Sequence, residues 1–202
     1  VRDEVPEIGK EPGPDTGPVS DAALTASLAY RIAGDRALAR DEVEAAKNFL
    51  AKAKAINPSD HRVYLSLYRM LDPTKTDEVI ALLEEANAAG DNSELTLVLP
   101  LAEAYLTVGR QEEAETLLEP FERVLTQMKR VNRGRVELLL AATRASGLAK
   151  HGHKRDAAEL LAAALQRPTV VSQRLNFANI YSATQFQLGG LYRDLGQEAA
   201  AA

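Results

Sequence analysis

Apolar residues recur at intervals of three and four along most of this chain, and that spacing is typical of amphipathic helices. Helix-breaking residues divide the pattern into short stretches, as at Pro58, Pro73, Gly90 and Gly109. No stretch alternates as a strand would, so we predict an all-α protein. The predicted helices cover about 21–33, 42–55, 60–71, 77–89, 93–108, 111–129, 133–150, 154–166 and 172–195, and a last helix starts near Gly196.

Several residues at the ends of these stretches predict how the helices start and stop. Ser59 and Thr76 are candidate N-caps, because their hydroxyls can accept a hydrogen bond from a free backbone N–H. Gly90 and Gly109 stand where a left-handed C-terminal cap is expected. Pro100 falls inside the fifth stretch, so we expect that helix to start late or to kink there.

The composition excludes several classes of function. The 202 residues are 46% apolar but only 5% aromatic, so Leu, Ala and Val must form the core. A net charge of -5 gives no overall attraction to phosphate backbones, and we expect no nucleic-acid partner. The absence of cysteine excludes disulfides, thiolate zinc sites and thiol nucleophiles.

The compartment stays open on sequence alone. No apolar run approaches the roughly 20 residues that a bilayer span requires, so we expect no membrane insertion. The first 20 residues contain four prolines and few apolar side chains, which predicts a flexible linker over 1–20. Because the chain begins at Val1, we expect a processed or shortened form. The protein is then either cytoplasmic or exported, with a leader or an anchor upstream.

The predicted helix pairs share a period of about 34 residues. Three units carry similar residues in the same order, and two units between them are weaker. The first unit has Tyr30, Gly34, Ala46, Leu50, Ala53 and Pro58; the third has Ala102, Tyr105, Gly109, Ala114 and Leu118; the last has Leu188, Gly189, Tyr192, Gly196 and Ala201. The second keeps Tyr64, Val79, Leu83 and Ala86, and the fourth keeps Ala157, Leu161 and Ala164.

This pattern resembles the tetratricopeptide repeat (TPR) family. The resemblance implies a right-handed superhelical solenoid of antiparallel helix pairs over 21–202, with about four pairs and a truncated last repeat. It also implies a non-catalytic scaffold that binds a protein or peptide in a concave groove lined by the first helix of each pair. One subfamily clamps chaperone tails with Lys and Asn, but Asp35 and Pro100 stand at corresponding places here, so that activity is not carried over.

The repeat register assigns side chains to this groove. Its arginines form a basic stretch beside apolar positions, so an extended peptide with apolar and acidic residues fits it. The alternative is that these are ordinary solvated or packing residues. The predicted groove residues are Leu28, Arg31, Arg62, Leu65, Arg69, Glu103, Leu106, Phe186 and Arg193.

No motif for catalysis or metal binding stands out. The histidines are His61, His151 and His153, and the last two are surrounded by Lys150, Lys154 and Arg155, which oppose a cation. We therefore expect no enzyme activity, no metal and no cofactor. These basic residues, together with Lys129, Arg130, Arg133 and Arg135, either form a patch for an acidic partner or a lipid headgroup, or compensate helix ends.

Two other functions stay open. The truncated last unit leaves an apolar edge, so the chain can be a self-assembling structural module that forms homo-oligomers. Alternatively, it is a regulatory domain of a larger multidomain protein.

Overall fold

A computed structural model describes residues 20–90, 95–125, 127–128 and 130–197, apart from the side chains at 130 and 131. The described residues form ten α-helices and one short 3₁₀ turn, and they contain no strand, so the prediction of an all-α fold is confirmed. The helices are α1 (Asp21–Leu38), α2 (Val43–Ile56), α3 (His61–Tyr68), α4 (Thr76–Ala89), α5 (Leu95–Thr107), α6 (Gln111–Leu125), α7 (Arg130–Lys150), α8 (Lys154–Leu165), α9 (Pro168–Val171) and α10 (Ala178–Asp194), with the 3₁₀ turn at Arg174–Phe177.

The helices pack in two rows. Helices α1, α3, α5, α7 and α10 each contact the next member of the series, and we call them the front row. Helices α2, α4, α6 and α8 form the back row, in which each helix packs against two successive front-row helices. The front row therefore presents one continuous face, and the back row covers its other side.

Small residues allow the two rows to approach closely. Ala46, Leu50 and Ala53 on α2 are fully buried. Gly34 on α1 faces them, and a Cβ placed there would lie only 2.7 Å from Leu50 Cγ. A larger side chain at Gly34 would push α1 and α2 apart.

The largest hydrophobic cluster lies in the middle of the molecule. It extends from Tyr64 on α3 to Leu140 on α7, and Leu83, Leu101 and Leu118 are among its fully buried members. Smaller clusters hold α2 to α3 and α7 to α8 and α10. Burial therefore follows the helix pairs along the chain, in agreement with the apolar spacing of the sequence.

Several predicted helix boundaries are wrong: α3 ends at Tyr68 rather than at 71, α6 ends at Leu125 rather than at 129, and two larger differences have a visible cause. Helix α1 continues through Gly34 to Leu38, because Gly34 is a packing residue, and the chain turns at Asp41 with a φ of 63°. Residues 172–195 do not form one helix: α9 ends at Val171, the 3₁₀ turn follows at Arg174–Phe177, and α10 begins only at Ala178. Phe177 is buried where α10 begins, which fixes that bend.

The predicted helix ends are only partly correct. Asp60, not Ser59, caps α3 by accepting a hydrogen bond from the Arg62 N–H, and Thr76 is the first helical residue of α4 rather than its cap. Gly109 has the expected left-handed φ of +81°. Gly90 is extended, with a φ of -105°, so the prediction of a left-handed cap there is wrong.

Three further predictions concern Pro100 and the two ends of the chain. Helix α5 begins at Leu95 and continues through Pro100, so a late start at the proline is wrong. Ser20 caps α1 through a 3.3 Å hydrogen bond from the Ala23 N–H, and the rest of the predicted linker lies outside the described residues. The predicted last helix lies outside them too, beyond Gln197.

None of the helices in the described part of the chain has the length and apolar character of a bilayer span.

Candidate partner-binding groove

Two adjoining cavities open on the front row between α5, α7 and α10. They share Leu99 and Leu139, and together we call them the front groove. The first, of about 390 Å³, is lined by Leu95, Thr96, Leu99, Met128, Asn132, Arg135, Val136, Leu139 and Ile180. The second, of about 250 Å³, is lined by Leu99, Pro100, Glu103, Leu139, Ala142, Thr143, Ser146 and Gln187.

The sequences of α5 and α7 explain the apolar floor of the groove. Helix α5 is apolar on nearly all sides: Leu97 and Leu101 are buried in the core, and Leu99 remains half-buried on the groove side. On α7, Leu139 lies between two buried leucines, Leu138 and Leu140, and is itself half-buried. Helices with more apolar surface than their own core covers commonly lie against a partner.

One end of the groove is electrically neutral. The Ser146 hydroxyl donates to Glu103 Oε1 at 2.6 Å, and Lys150 Nζ donates to the same oxygen at 3.1 Å. Burial, and then the charge of Glu103, raise the pKa of the Tyr68 phenol on α3. Glu103 therefore links α5 to α7, and its charge is compensated by Lys150.

The other end of the groove is basic. Arg135 is exposed and makes no ion pair within the described residues, whereas nearby Arg133 pairs with the buried Glu137 at 2.8 Å. The front groove thus has an apolar floor, one neutral end and one free guanidinium. This arrangement favours a ligand with apolar groups and a carboxylate.

Arg31, a predicted groove residue, pairs with carboxylates of the chain itself. Its Nη1 lies 3.2 Å from Asp35 Oδ2, and its Nε lies 3.4 Å from Asp60 Oδ2 without hydrogen-bond geometry. The Arg31 side chain is only 13% exposed. Arg31 therefore holds α1 against the start of α3 and offers little charge to a partner.

Arg62 and Arg69, also predicted, are exposed at opposite ends of α3, and neither makes an ion pair within the described part of the chain. Leu28 on α1 is 44% exposed, and Leu65 is half-buried against the central cluster. None of these four residues lines either cavity of the front groove. Arg62 and Arg69 are exposed, whereas Arg31 is paired, so the predicted basic stretch stays a prediction for two of its three arginines.

The three remaining predicted residues lie away from the groove cavities. Leu106 packs against Gly147, where an added Cβ would meet Leu106 Cβ at 2.4 Å, and it lines a separate cavity. Phe186 is 78% exposed, and Arg193 is exposed one heptad later on the same face of α10. On α10 the groove is lined instead by Ile180 and Gln187.

Among the central lining residues, the sequence singled out Arg135 only as a member of a basic cluster, and it did not identify Leu99, Leu139 or Ile180. One signal for them was available, because three consecutive leucines at 138–140 exceed what one buried face of a helix needs. The predicted basic clusters are partly neutralised by ion pairs within the chain: Lys150 pairs with Glu103, and Lys154 pairs with Asp194 at 2.7 Å. Arg135 and Arg155 are exposed and form no ion pair within the described residues. Lys129 and the side chain of Arg130 lie outside the described residues.

The histidines do not form a metal site in the part of the chain that the structure describes, where no group of three or more potential ligands occurs. His153 instead faces Asp156, with 3.6 Å between Nδ1 and Oδ2. Both side chains are more than half exposed, so the pair contributes little to stability.

A scan of the sequence against protein-family models finds no match, and no curated protein matches it either.

Proposed function

We propose that this chain is a non-catalytic scaffold of the TPR-like kind that binds a protein or peptide partner in the front groove. The observation that carries the proposal is the pair of adjoining cavities with an apolar floor between α5, α7 and α10. In this proposal the two rows of helices are successive antiparallel pairs of a right-handed superhelix, and the front row lines its concave side.

The chemistry of the groove suggests the class of partner. Two half-buried leucines, Leu99 and Leu139, line both cavities and would contact apolar side chains of the bound segment. Arg135 would pair with a carboxylate, and Arg62 and Arg69 would attract acidic residues further along the front row. The proposed partner is therefore a segment that combines apolar and acidic residues.

The distribution of polar groups supports binding rather than catalysis. Around the groove, Glu103 pairs with Lys150 between α5 and α7, and Arg133 pairs with Glu137 within α7, so these ionisable side chains stabilise the fold. A catalytic site would require a nucleophile or a general base aimed at a reacting atom. Thr143 and Ser146 lie in the groove, but Ser146 donates to Glu103 rather than to an imidazole.

Affinity capture with matched variants tests the proposal. We expect the purified chain to capture a partner from lysate of its own source, and Leu139→Lys to abolish that capture, because a charge would enter the apolar floor. Val124→Lys on α6 is the control, since Val124 is 47% exposed and lies outside the groove. Equal capture by both folded variants would place the partner elsewhere.

A second candidate function, self-association, is favoured by two exposed apolar side chains near the C-terminal end. Leu175 is 85% exposed and Phe186 is 78% exposed. Burial of both side chains in an interface between copies would remove apolar surface from water. Sedimentation equilibrium would show an oligomer that Phe186→Asp dissociates, and a monomer at high concentration would exclude this candidate.

A further inference from the structure

A separate cavity of about 450 Å³ lies between the back-row helices α6 and α8, with α5 and α7 also contributing to its lining. We call it the back cavity. Its floor is apolar and is formed by Leu106, Leu148 and Leu160. Its mouth is bordered by the turn at Gly109, by Gln111 at the start of α6, and by His151 and His153 after α7.

The cavity exists because two hydrophobic clusters meet here without merging. Leu106 packs against the central cluster, whereas Leu148 and Leu160 pack against the cluster that joins α7, α8 and α10. Gly147 brings α5 and α7 close together beneath the cavity. At the left-handed turn, a Cβ added to Gly109 would have only the His151 side chain within 4 Å, so the space there is open.

The charges around the mouth are mostly negative. Lys150 and Lys154, next to the two histidines in sequence, pair with Glu103 and Asp194, and Arg155 does not line the cavity. The residues that do line it include the guanidinium of Arg144 and the carboxylates of Glu115 and Asp156, so carboxylates outnumber cations there.

Arg144 lies between two carboxylates, with 2.5 Å from Nη2 to Glu115 Oε2 and 2.6 Å from Nη1 to Glu122 Oε1. Hydrogen bonds to these two carboxylates raise the pKa of the Arg144 guanidinium, so its single positive charge is permanent. One guanidinium cannot neutralise two carboxylates, so this cluster keeps an excess negative charge.

A second cluster of ion pairs also contains one arginine and two carboxylates. Arg110 pairs with Glu113 at 2.9 Å and with Glu84 at 3.1 Å. Glu112 and Glu113 line an adjoining surface depression that shares Gly109, Gln111 and Glu115 with the back cavity. The cavity supplies apolar contact, and the carboxylates supply a negative potential at its mouth.

We infer that the back cavity binds a segment of a partner protein that presents an apolar side chain next to a lysine or arginine. The apolar side chain contacts Leu106, Leu148 and Leu160, and the cation lies at the mouth beside the carboxylates. The front groove, with its free Arg135, favours acidic ligands, whereas the back cavity favours basic ones. The inference is therefore independent of the proposed function of the front groove.

Two dipeptides of opposite charge test the inference. The probes are N-acetyl-phenylalanyl-arginine amide and N-acetyl-phenylalanyl-glutamate amide, added to the full chain and followed by amide NMR. We expect saturable shifts at Gly109, Gly147 and His151 with the arginine probe. We expect Gln111→Lys, which places a cation at the mouth, to raise its Kd about fivefold.

Gln185→Lys is the matched control, because Gln185 is exposed on α10 and does not line the back cavity. It should leave the Kd unchanged, and the spectra of both variants show whether they are folded. The inference is overturned if no residue around the cavity shifts, if the glutamate probe binds equally well, or if Gln185→Lys weakens binding as much as Gln111→Lys.

Discussion

At the scale of single residues, glycines inside helices set how closely the helices pack. An added Cβ at Gly147 would lie 2.4 Å from Leu106 Cβ, and at Gly134 it would lie 2.3 Å from the Thr169 carbonyl oxygen. Neither neighbouring atom can rotate away, because each belongs to a fixed part of its residue. Gly190 on α10, in contrast, has nothing within 4 Å.

We therefore predict opposite effects of the same substitution at two helical positions. Gly147→Ala should lower the free energy of unfolding by about 1–3 kcal/mol, because α5 and α7 must separate. Gly190→Ala should raise it by up to about 1 kcal/mol, because alanine favours the helix and meets no obstacle. Urea unfolding measures both, and equal effects at the two positions would contradict the packing described for Gly147.

The raised pKa of Tyr105 predicts how the free energy of unfolding changes at alkaline pH. Burial, and then the hydrogen bond that its hydroxyl donates to Glu84, raise its pKa from 10.0 to about 12. The unfolded chain loses this proton near the ordinary value, and the folded chain keeps it to higher pH. The stabilisation is therefore fully present below pH 10 and is lost as the pH rises towards 12.

Tyr105→Phe should flatten this decline in stability between pH 10 and 12. The variant should also be about 1 kcal/mol less stable at neutral pH, because the hydrogen bond to Glu84 is lost. Part of the decline should remain, since burial also raises the pKa of Tyr64 to about 12. Thermal unfolding across this pH range measures the slope, and an unchanged slope would exclude Tyr105 as its source.

At the scale of helices, α3 depends strongly on the residues at its ends because it has only 8 residues. Asp60 accepts the capping hydrogen bond from the Arg62 N–H at 3.1 Å and faces the Arg31 guanidinium of α1. A short helix gains little from its own propensity, so capping and tertiary contacts must hold it.

Asp60→Ala should therefore lower the free energy of unfolding by about 1–2 kcal/mol. Ser59→Ala is the control, because Ser59 is exposed in the same turn and does not cap the helix. We expect it to change stability by less than about 0.5 kcal/mol. If the two substitutions had equal effects in urea unfolding, Asp60 would not be the functional cap.

The sequence predicted most helices because their apolar spacing is regular and their turns are short. The errors arose where a tertiary contact decides the outcome. Gly34 reads as a helix end, but Leu50 packs against it within a continuing α1. Residues 172–195 were predicted as one helix, but the chain forms a 3₁₀ turn that ends at the buried Phe177 before α10 begins. Spacing alone does not contain these long-range contacts.

At the scale of the whole molecule, the all-α class could be predicted from the sequence, but the place where the front groove opens could not. Helix α7 matches the repeat pattern poorly, so Arg135 and Leu139 could not be placed from the sequence. Arg31 was placed on the front row, but its pairing with Asp60 depends on how α1 meets α3. Ion pairs between helices are therefore the part of a site that sequence predicts least well.

Photo-crosslinking tests most directly whether the front groove holds a partner segment, as we propose. A benzophenone amino acid placed at Leu139 reports contacts in the groove, and the same group at Val124 reports contacts on α6 outside it. In lysate of the protein's own source, we predict a discrete crosslinked product from position 139 and none from position 124. A product from position 124 alone, or equal products from both positions, would contradict the claim.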